Sequence, residues 1–369
     1  MQASERYESG ESISRLLLNW YDTHQRKLPW RDSRDPYKIW VSEIMLQQTR
    51  VDQVRPYFDH FMKAFPDLHA LAAADRQQVL KAWEGLGYYS RARNLHDAAR
   101  KVEQEYNGRI PDTWDDITNL PGIGPYTAAA ILSIAFDRQF AVMDGNVKRV
   151  ITRLDGIEED IRKRDTEKLI QNKADVLLDQ ERPGDFNQAL MELGATVCTP
   201  RQPQCNICPV REVCRAYKTA QTTSIPYKSP AKKKPHHHIG VGIVQNSNDE
   251  LLIALRPEEA MLGGLWEFPG GKQKENEHIE ATIRRELSEE LGVDVEVKAP
   301  FMKLNHAYSH FKITMHAYMC RLISGTPTPR ESQQVRWVPR TRLNEYPFPR
   351  ANKKLTEALV EQNQSSLDL

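Results

Sequence analysis

The spacing of apolar residues changes once along the chain, and that change limits the folds open to it. From Ser12 to about Tyr217, segments such as Val51–Phe65, Gln77–Trp83, Ala92–Tyr106 and Tyr126–Phe136 repeat apolar residues every three or four positions, the period of a helix with one buried face. Glycine and proline fall between them, as at Gly85, Gly87, Gly108, Pro111, Pro121 and Gly122. Then comes a stretch rich in proline, lysine and histidine, after which the period is two. Ile239–Val244, Leu251–Leu255, Val293–Val297 and Ile313–Leu322 read as strands, with helices at Ile279–Leu291 and Lys353–Glu361. A chain of 369 residues exceeds one ordinary core. The predicted architecture is therefore multidomain: an all-α domain over 1–218, a linker over 219–236 and an α/β domain over 237–362. His236–His238 reads as part of a polar linker rather than as zinc ligands.

Composition adds exclusions. The net charge is only +1 and is balanced in both halves, so a nucleic-acid partner would be held by local patches and backbone amides. No apolar run is long enough to span a bilayer, and the polar start lacks a signal core, so the expectation is a monomeric cytoplasmic protein with no membrane partner. Of five cysteines, four fall between Cys198 and Cys214, and Cys320 stands alone as a buried strand thiol. An odd, clustered set argues for metal over disulfides. The pattern Cys198-x6-Cys205-x2-Cys208-x5-Cys214 can surround one centre, either tetrahedral zinc or an iron–sulfur cluster.

Leu120-Pro121-Gly122-Ile123-Gly124-Pro125-Tyr126 lies between helical segments. Gly122 and Gly124 allow a sharp reversal, Pro125 suits a first helical turn, and the bare N–H groups suit a phosphate. Twenty residues on, Asp144-Gly145-Asn146 precedes the apolar-periodic run Val147–Leu154, which makes Asp144 an N-cap candidate held ionised by the helix dipole and backbone N–H groups. Glu43 falls within Ile39-Trp40-Val41-Ser42-Glu43-Ile44-Met45-Leu46; on a helix its neighbours would be apolar, raising its pKa as an acid requires. Taken alone, Glu43 reads as a partly exposed surface residue and Asp144 as a plain structural cap.

The hairpin and the Asp144 segment together resemble the helix–hairpin–helix DNA glycosylase superfamily that includes endonuclease III. The cysteine spacing resembles that superfamily's 4Fe-4S loop, here 198–214. The resemblance implies that Glu43 is the acid and base, that Asp144 stabilises the sugar cation or bonds to it, and that Tyr126 and Asn146 support them. Bifunctional relatives carry a Schiff-base lysine where Tyr126 stands, which implies hydrolysis without a lyase step. By the same resemblance Trp30, Arg31 and Gln188 meet an extruded base, Gln48 and Thr49 meet the opposite base, Leu86, Gly87 and Tyr88 form a wedge, and Lys148 touches phosphate.

Gly271-x5-Glu277-x7-Arg285-Glu286-Leu287-x-Glu289-Glu290-x-Gly292 fits the Nudix signature. Glu286, Glu289 and Glu290 share a helix face open to a divalent cation such as Mg2+. A helical glycosylase followed by a Nudix-like domain resembles the adenine DNA glycosylase family. That implies double-stranded DNA bearing adenine opposite 8-oxoguanine or guanine as substrate, with Tyr308, Ser309 and His310 reading the lesion. Members of the family commonly have an eroded Nudix box, and nucleotide hydrolysis is not expected here although the box is intact. Three rival readings stand beside it: a bifunctional endonuclease III-like enzyme acting on oxidised pyrimidines, opposed by Tyr126 and the added domain; a Nudix hydrolase with a DNA-binding helical domain, opposed by Glu43 and Asp144; and a catalytically silent lesion reader, opposed by the same carboxylates.

Overall fold

The computed structural model describes residues 12–230, 233–308 and 310–367. The chain forms two compact units, Met1–Ala72 with Asp97–Ala231 and Ala73–His96 with Lys232–Leu369. No helix among the described residues is long and apolar enough to cross a membrane.

The first unit is helical. Helix Pro36–Leu46 starts at Asp35, whose carboxylate accepts the Tyr37 N–H at 2.9 Å, with Pro36 in the first turn. Its sequence is apolar on every side, which is the mark of a helix enclosed by others. Tyr37 and every residue from Ile39 to Met45 are indeed buried, Glu43 among them. Helix Pro125–Phe136 is equally apolar and buried from Thr127 to Ser133. Helix Pro183–Thr196 packs on it and on helix Gly145–Asp155. The approach is close because it runs over glycines. A Cβ on Gly184 would meet the Ser133 carbonyl oxygen at 2.6 Å, and one on Gly194 would meet Asn146 Cβ at 2.6 Å. Phe186, Leu190 and Leu193 fill the core with Val142, Val147 and Ile151.

Among the described residues of the second unit, seven strands form one sheet: β1 His236–Gln245, β2 Glu250–Leu255, β3 Trp266–Glu267, β4 Gly270–Lys272, β5 Asp294–Ala307, β6 Lys312–Ser324 and β7 Gln334–Pro339. The order is β3-β2-β1-β6-β5, with β4 also paired to β1 and β7 to β2. The β1–β6 pair is parallel and the others are antiparallel. Alternation along the strands sends side chains to opposite faces. Val244 and Leu252 meet Ile283, Leu287 and Leu291 of helix Ile279–Leu291 on one face. Ile243, Leu251 and Ile253 meet Ala351, Leu355 and Leu359 of helix Arg350–Leu367 on the other. Cys320 is buried on β6.

Three elements differ from the sequence reading. His236–His238 is not linker: it opens β1 and pairs with Lys312–Thr314. Strand β5 runs to Ala307 instead of ending at Val297, because register shifts between Val297 and Met302 break the period-two pattern. Residues 73–96, read as part of the helical domain, group with the C-terminal sheet.

The fully buried Asn187 fixes the approach to Asp144. Its Oδ1 accepts the Val142 N–H at 3.1 Å, and its Nδ2 donates to Ser133 Oγ at 2.9 Å and the Phe140 carbonyl at 2.8 Å. Asn187→Ala leaves buried groups unpaired and is expected to cost about 3 kcal/mol in urea unfolding. A loss within experimental error would show that these bonds do not hold the segment.

Candidate active site

One cavity of about 600 Å³ opens in the first unit. Glu43, Tyr126, Asp144 and Asn146 line it, with Trp30, Arg31, Thr49 and Gln188. Residues separated by 101 positions in the sequence, Glu43 and Asp144, thus share one chamber. Trp30 is buried edge-on to Phe58, ring centroids 5.3 Å apart.

Glu43 Oε2 accepts the Tyr126 hydroxyl at 2.6 Å. Burial pushes its carboxyl up to about 7; the Tyr126 bond and Arg31 oppose the rise, and the negative charge of Asp144 adds to it. The Tyr126 phenol is raised well above its ordinary range by burial and by Glu43, so it stays a hydroxyl donor. Asp144 caps helix Gly145–Asp155. Its Oδ1 accepts the Asn146 and Val147 N–H groups at 2.8 and 2.7 Å, and its Oδ2 accepts Asn146 Nδ2 at 2.9 Å. The sequence reading expected this cap to hold the acid ionised. Burial outweighs the three hydrogen bonds, and the carboxyl lies above its ordinary range.

Arg149 links this corner to the cysteine loop. Its guanidinium donates to Asn146 Oδ1 at 2.8 Å, the Gly194 carbonyl at 2.7 Å and the Cys198 carbonyl at 2.7 Å. One turn on, Arg153 donates to Cys198 Sγ at 3.3 Å and the Thr199 carbonyl at 2.8 Å. Cys198, Cys205, Cys208 and Cys214 line one small cavity with Arg153 and Arg211. Among the described residues no three His, Cys, Asp or Glu side chains are already drawn together as a closed ligand set. The donors nonetheless suit a metal–sulfur centre. Burial pushes the Cys208 thiol up to about 12, so the four could be thiolates together only beside a cationic centre, and their surroundings supply N–H donors to sulfur.

Beside the main cavity, a second hollow is lined by Gln48, Gly122, Gly124, Tyr126 and Asp144. Gly122 has φ +76, and Gly124 is the N-cap of helix Pro125–Phe136, which has no side-chain cap and whose first residues, Pro125 to Thr127, line the hollow. Gln48 adopts φ +57, an unusual backbone for its type. Lys148 pairs with Glu167.

Sequence reasoning missed Glu192 and Arg26. Glu192, with a fully buried side chain, accepts Arg26 Nε at 2.6 Å and Arg31 Nη2 at 2.9 Å. Burial works against its charge, but the two guanidiniums win and hold it below the usual carboxylate range. Its position four residues after Gln188 on one helix face was the available signal.

Leu86, Gly87 and Tyr88 fall in the segment grouped with the second unit, and Tyr88 is 41% exposed at φ +51. There too, Tyr308 stacks near Phe311 at 4.9 Å, between β5 and β6, and His310 is exposed. Ser309 lies outside the described residues. The three Nudix carboxylates do not converge. Arg285 binds Glu286 at 2.7 Å and Glu289 at 2.9 Å, together with Glu277 at 2.8 Å, while Glu290 turns to the Gly270 N–H at 3.3 Å. Burial, with Glu267 and Glu286 adding, pushes Glu290 up to about 8.

Residues 41–175 match the family model of HhH-GPD superfamily base excision DNA repair proteins, and residues 240–358 match the NUDIX domain model. A solved thermostable thymine-DNA glycosylase superposes with a TM-score of 0.53 at 30% identity, over 58% of this chain and 98% of that one. Fold and cavity together define a DNA glycosylase of base excision repair that carries a Nudix-like domain. The adenine DNA glycosylase of Mus musculus is 36% identical over 375 residues, covering 87% of this chain and 73% of its own. That of Buchnera aphidicola subsp. Acyrthosiphon pisum is 33% identical over 346 residues, covering 94% and 97%. The chain belongs to the adenine DNA glycosylase family.

Glu43 also leaves a mark on stability. Its native pKa of about 7 lies above the ordinary 4.5, so the native state binds the proton more tightly than the unfolded chain. Stability then falls as pH rises from about 4.5 to about 7. Glu43→Gln removes that dependence: it is expected to raise the melting temperature at pH ~8 and leave it nearly unchanged at pH ~4.5. An equal effect at both values would contradict the desolvated carboxyl.

Proposed function

We propose that the protein hydrolyses the N-glycosidic bond of adenine mispaired with 8-oxoguanine, or with guanine, in double-stranded DNA, and leaves the strand uncut. The observation that carries this is the chamber shared by Glu43 and Asp144, one carboxyl raised to about 7 and the other tied to a helix N-terminus. An extruded adenine beside Glu43 takes its proton as the bond to the sugar breaks, and Glu43 then activates water. Asp144 supplies the negative charge opposite the oxocarbenium-like sugar, or bonds to it briefly. Tyr126 holds Glu43, and Asn146 holds Asp144. Trp30, Arg31 and Gln188 line the base pocket; Gln48, Thr49 and the Leu86–Tyr88 wedge work on the opposing base and the stack. The Gly122–Gly124 turn and the N-terminus of helix Pro125–Phe136 hold a phosphate. The 308–310 loop reads the 8-oxoguanine.

Cys198, Cys205, Cys208 and Cys214 would hold one 4Fe-4S cluster. When bound, it supplies a structural cross-link for the loop that carries the Cys198 carbonyl on Arg149. The Nudix box keeps Glu277, Glu286 and Glu289 with Arg285 and Glu290 with the Gly270 N–H, and nucleotide hydrolysis is not part of the function. The full chain with Mg2+ and 8-oxo-dGTP is expected to release no monophosphate; turnover there would assign the second domain an activity of its own.

A duplex holding adenine opposite 8-oxoguanine should break only when hot alkali follows the enzyme. Breakage without alkali, or capture of a protein–DNA adduct by borohydride, would sink the monofunctional reading, since only an imine is trapped. Glu43→Gln and Asp144→Asn are each expected to lose at least about a thousandfold in single-turnover rate. The wild-type rate should fall as pH rises through about 7, where Glu43 gives up its proton. Tyr126→Phe removes a bond that favours the carboxylate, so it should move that limb to higher pH; an unmoved limb would exclude Glu43 as the acid.

A further inference from the structure

Within the second unit, residues 84 and 89 hold the same residue of the C-terminal half. Glu84 is buried, its side chain 6% exposed, and its Oε1 accepts the Phe348 N–H at 2.9 Å. Its Oε2 accepts Lys353 Nζ at 2.7 Å and Lys81 Nζ at 2.8 Å. The Tyr89 hydroxyl, also buried, donates to the Phe348 carbonyl at 3.1 Å and accepts the Gly85 N–H at 3.1 Å. Both polar groups of Phe348 are therefore taken by side chains some 260 positions earlier. The Phe348 ring is itself fixed, buried in the sheet core and stacked on Phe268 with centroids 5.8 Å apart.

Between these two grips lies the loop Gly85–Tyr88. Three of its four residues have positive φ: Gly85 at +95, Gly87 at +81 and Tyr88 at +51. For tyrosine that backbone is costly and persists only where the surroundings over-determine it. The Gly87 carbonyl accepts both Trp83 Nε1 and Arg91 Nη2 at 3.1 Å, and the Arg91 guanidinium lies 5.3 Å from the Tyr88 ring centre. A strained, exposed aromatic is thus held on a loop whose two ends are pinned to one point of the sheet.

We infer that Glu84 and Tyr89 are positioning residues that clamp the wedge to Phe348, so that the C-terminal sheet sets where Tyr88 enters the base stack. This rests on the reading of Leu86–Tyr88 as a wedge. The clamp makes base extrusion depend on the same domain that carries the 308–310 loop. A wedge out of place by about an ångström loses rate steeply, because insertion needs one geometry.

The test uses the full chain and a duplex with 2-aminopurine in place of the target adenine opposite 8-oxoguanine. Its fluorescence rises as the base leaves the stack. Tyr89→Phe removes one grip without changing shape, and Glu84→Gln keeps an acceptor for the Phe348 N–H but loses the two lysines. Each is expected to slow extrusion about tenfold. The pH midpoint of adenine excision, set by Glu43, should not move. A duplex whose flanking pair is already mismatched should restore the rate, because little stack remains to be opened; a merely damaged protein would not be rescued. Tyr88→Ala serves as the reference. If it is slow and the two clamp variants match wild type, the clamp is wrong. If all three match wild type, the wedge reading itself fails, and the clamp with it. Equal slowing on the pre-opened duplex would also overturn the proposal, by showing a general defect.

Discussion

The chemistry depends on keeping one carboxyl dry. Glu43 sits on a helix buried from Ile39 to Met45, with its carboxyl nearly inaccessible at the cavity wall, so its charge is poorly solvated. The single strong contact given to it, the Tyr126 hydroxyl, favours the charged form without restoring an ordinary pKa. The carboxyl is left balanced near neutrality, which is where a group that must both give and take a proton is most effective. Burial also lifts Asp144, and the negative charge of Asp144 makes ionisation of Glu43 harder.

Helix Gly145–Asp155 is the spine of this arrangement. Its N-terminus holds Asp144, its first turn holds Asn146, and Arg149 and Arg153 reach from successive turns to the loop that carries Cys198. The helix can do this because Gly194 lets a neighbouring helix come within contact of Asn146. The thiol loop and the carboxylate corner therefore share a support although no cysteine lines the larger cavity.

Much of this was legible in the residues. Helical and strand periods located most elements because their cores lie on one face, as in helix Ile279–Leu291. The cap at Asp144 was legible because Asp-Gly-Asn before an apolar run permits little else. Its pKa was not, since burial is a property of the whole packing and the cap is local. The length of β5 was hidden by its irregular register, and the start of β1 by histidines that pair as strand while looking like linker. Glu192 was missed because a buried acid with two arginine partners is spelled like any surface glutamate. The grouping of residues 73–96 with the sheet left no mark in periodicity, because contacts to residues some 260 positions later, such as Glu84 with Lys353, are not spelled in a local pattern.

That grouping bears on how the gene could be cut and recombined. The proline-rich stretch near residue 230 looks like a seam, but the true border of the second unit also encloses a helical segment far upstream. Exchanging the C-terminal half for a distant homologue's would leave the buried Glu84 with Lys81 alone unless a lysine and a main-chain N–H came with it in the places of Lys353 and Phe348. Swaps at the obvious seam should therefore succeed only between parents that agree at residues 84, 348 and 353, and a library of such chimaeras would record that agreement as a constraint on viable crossovers.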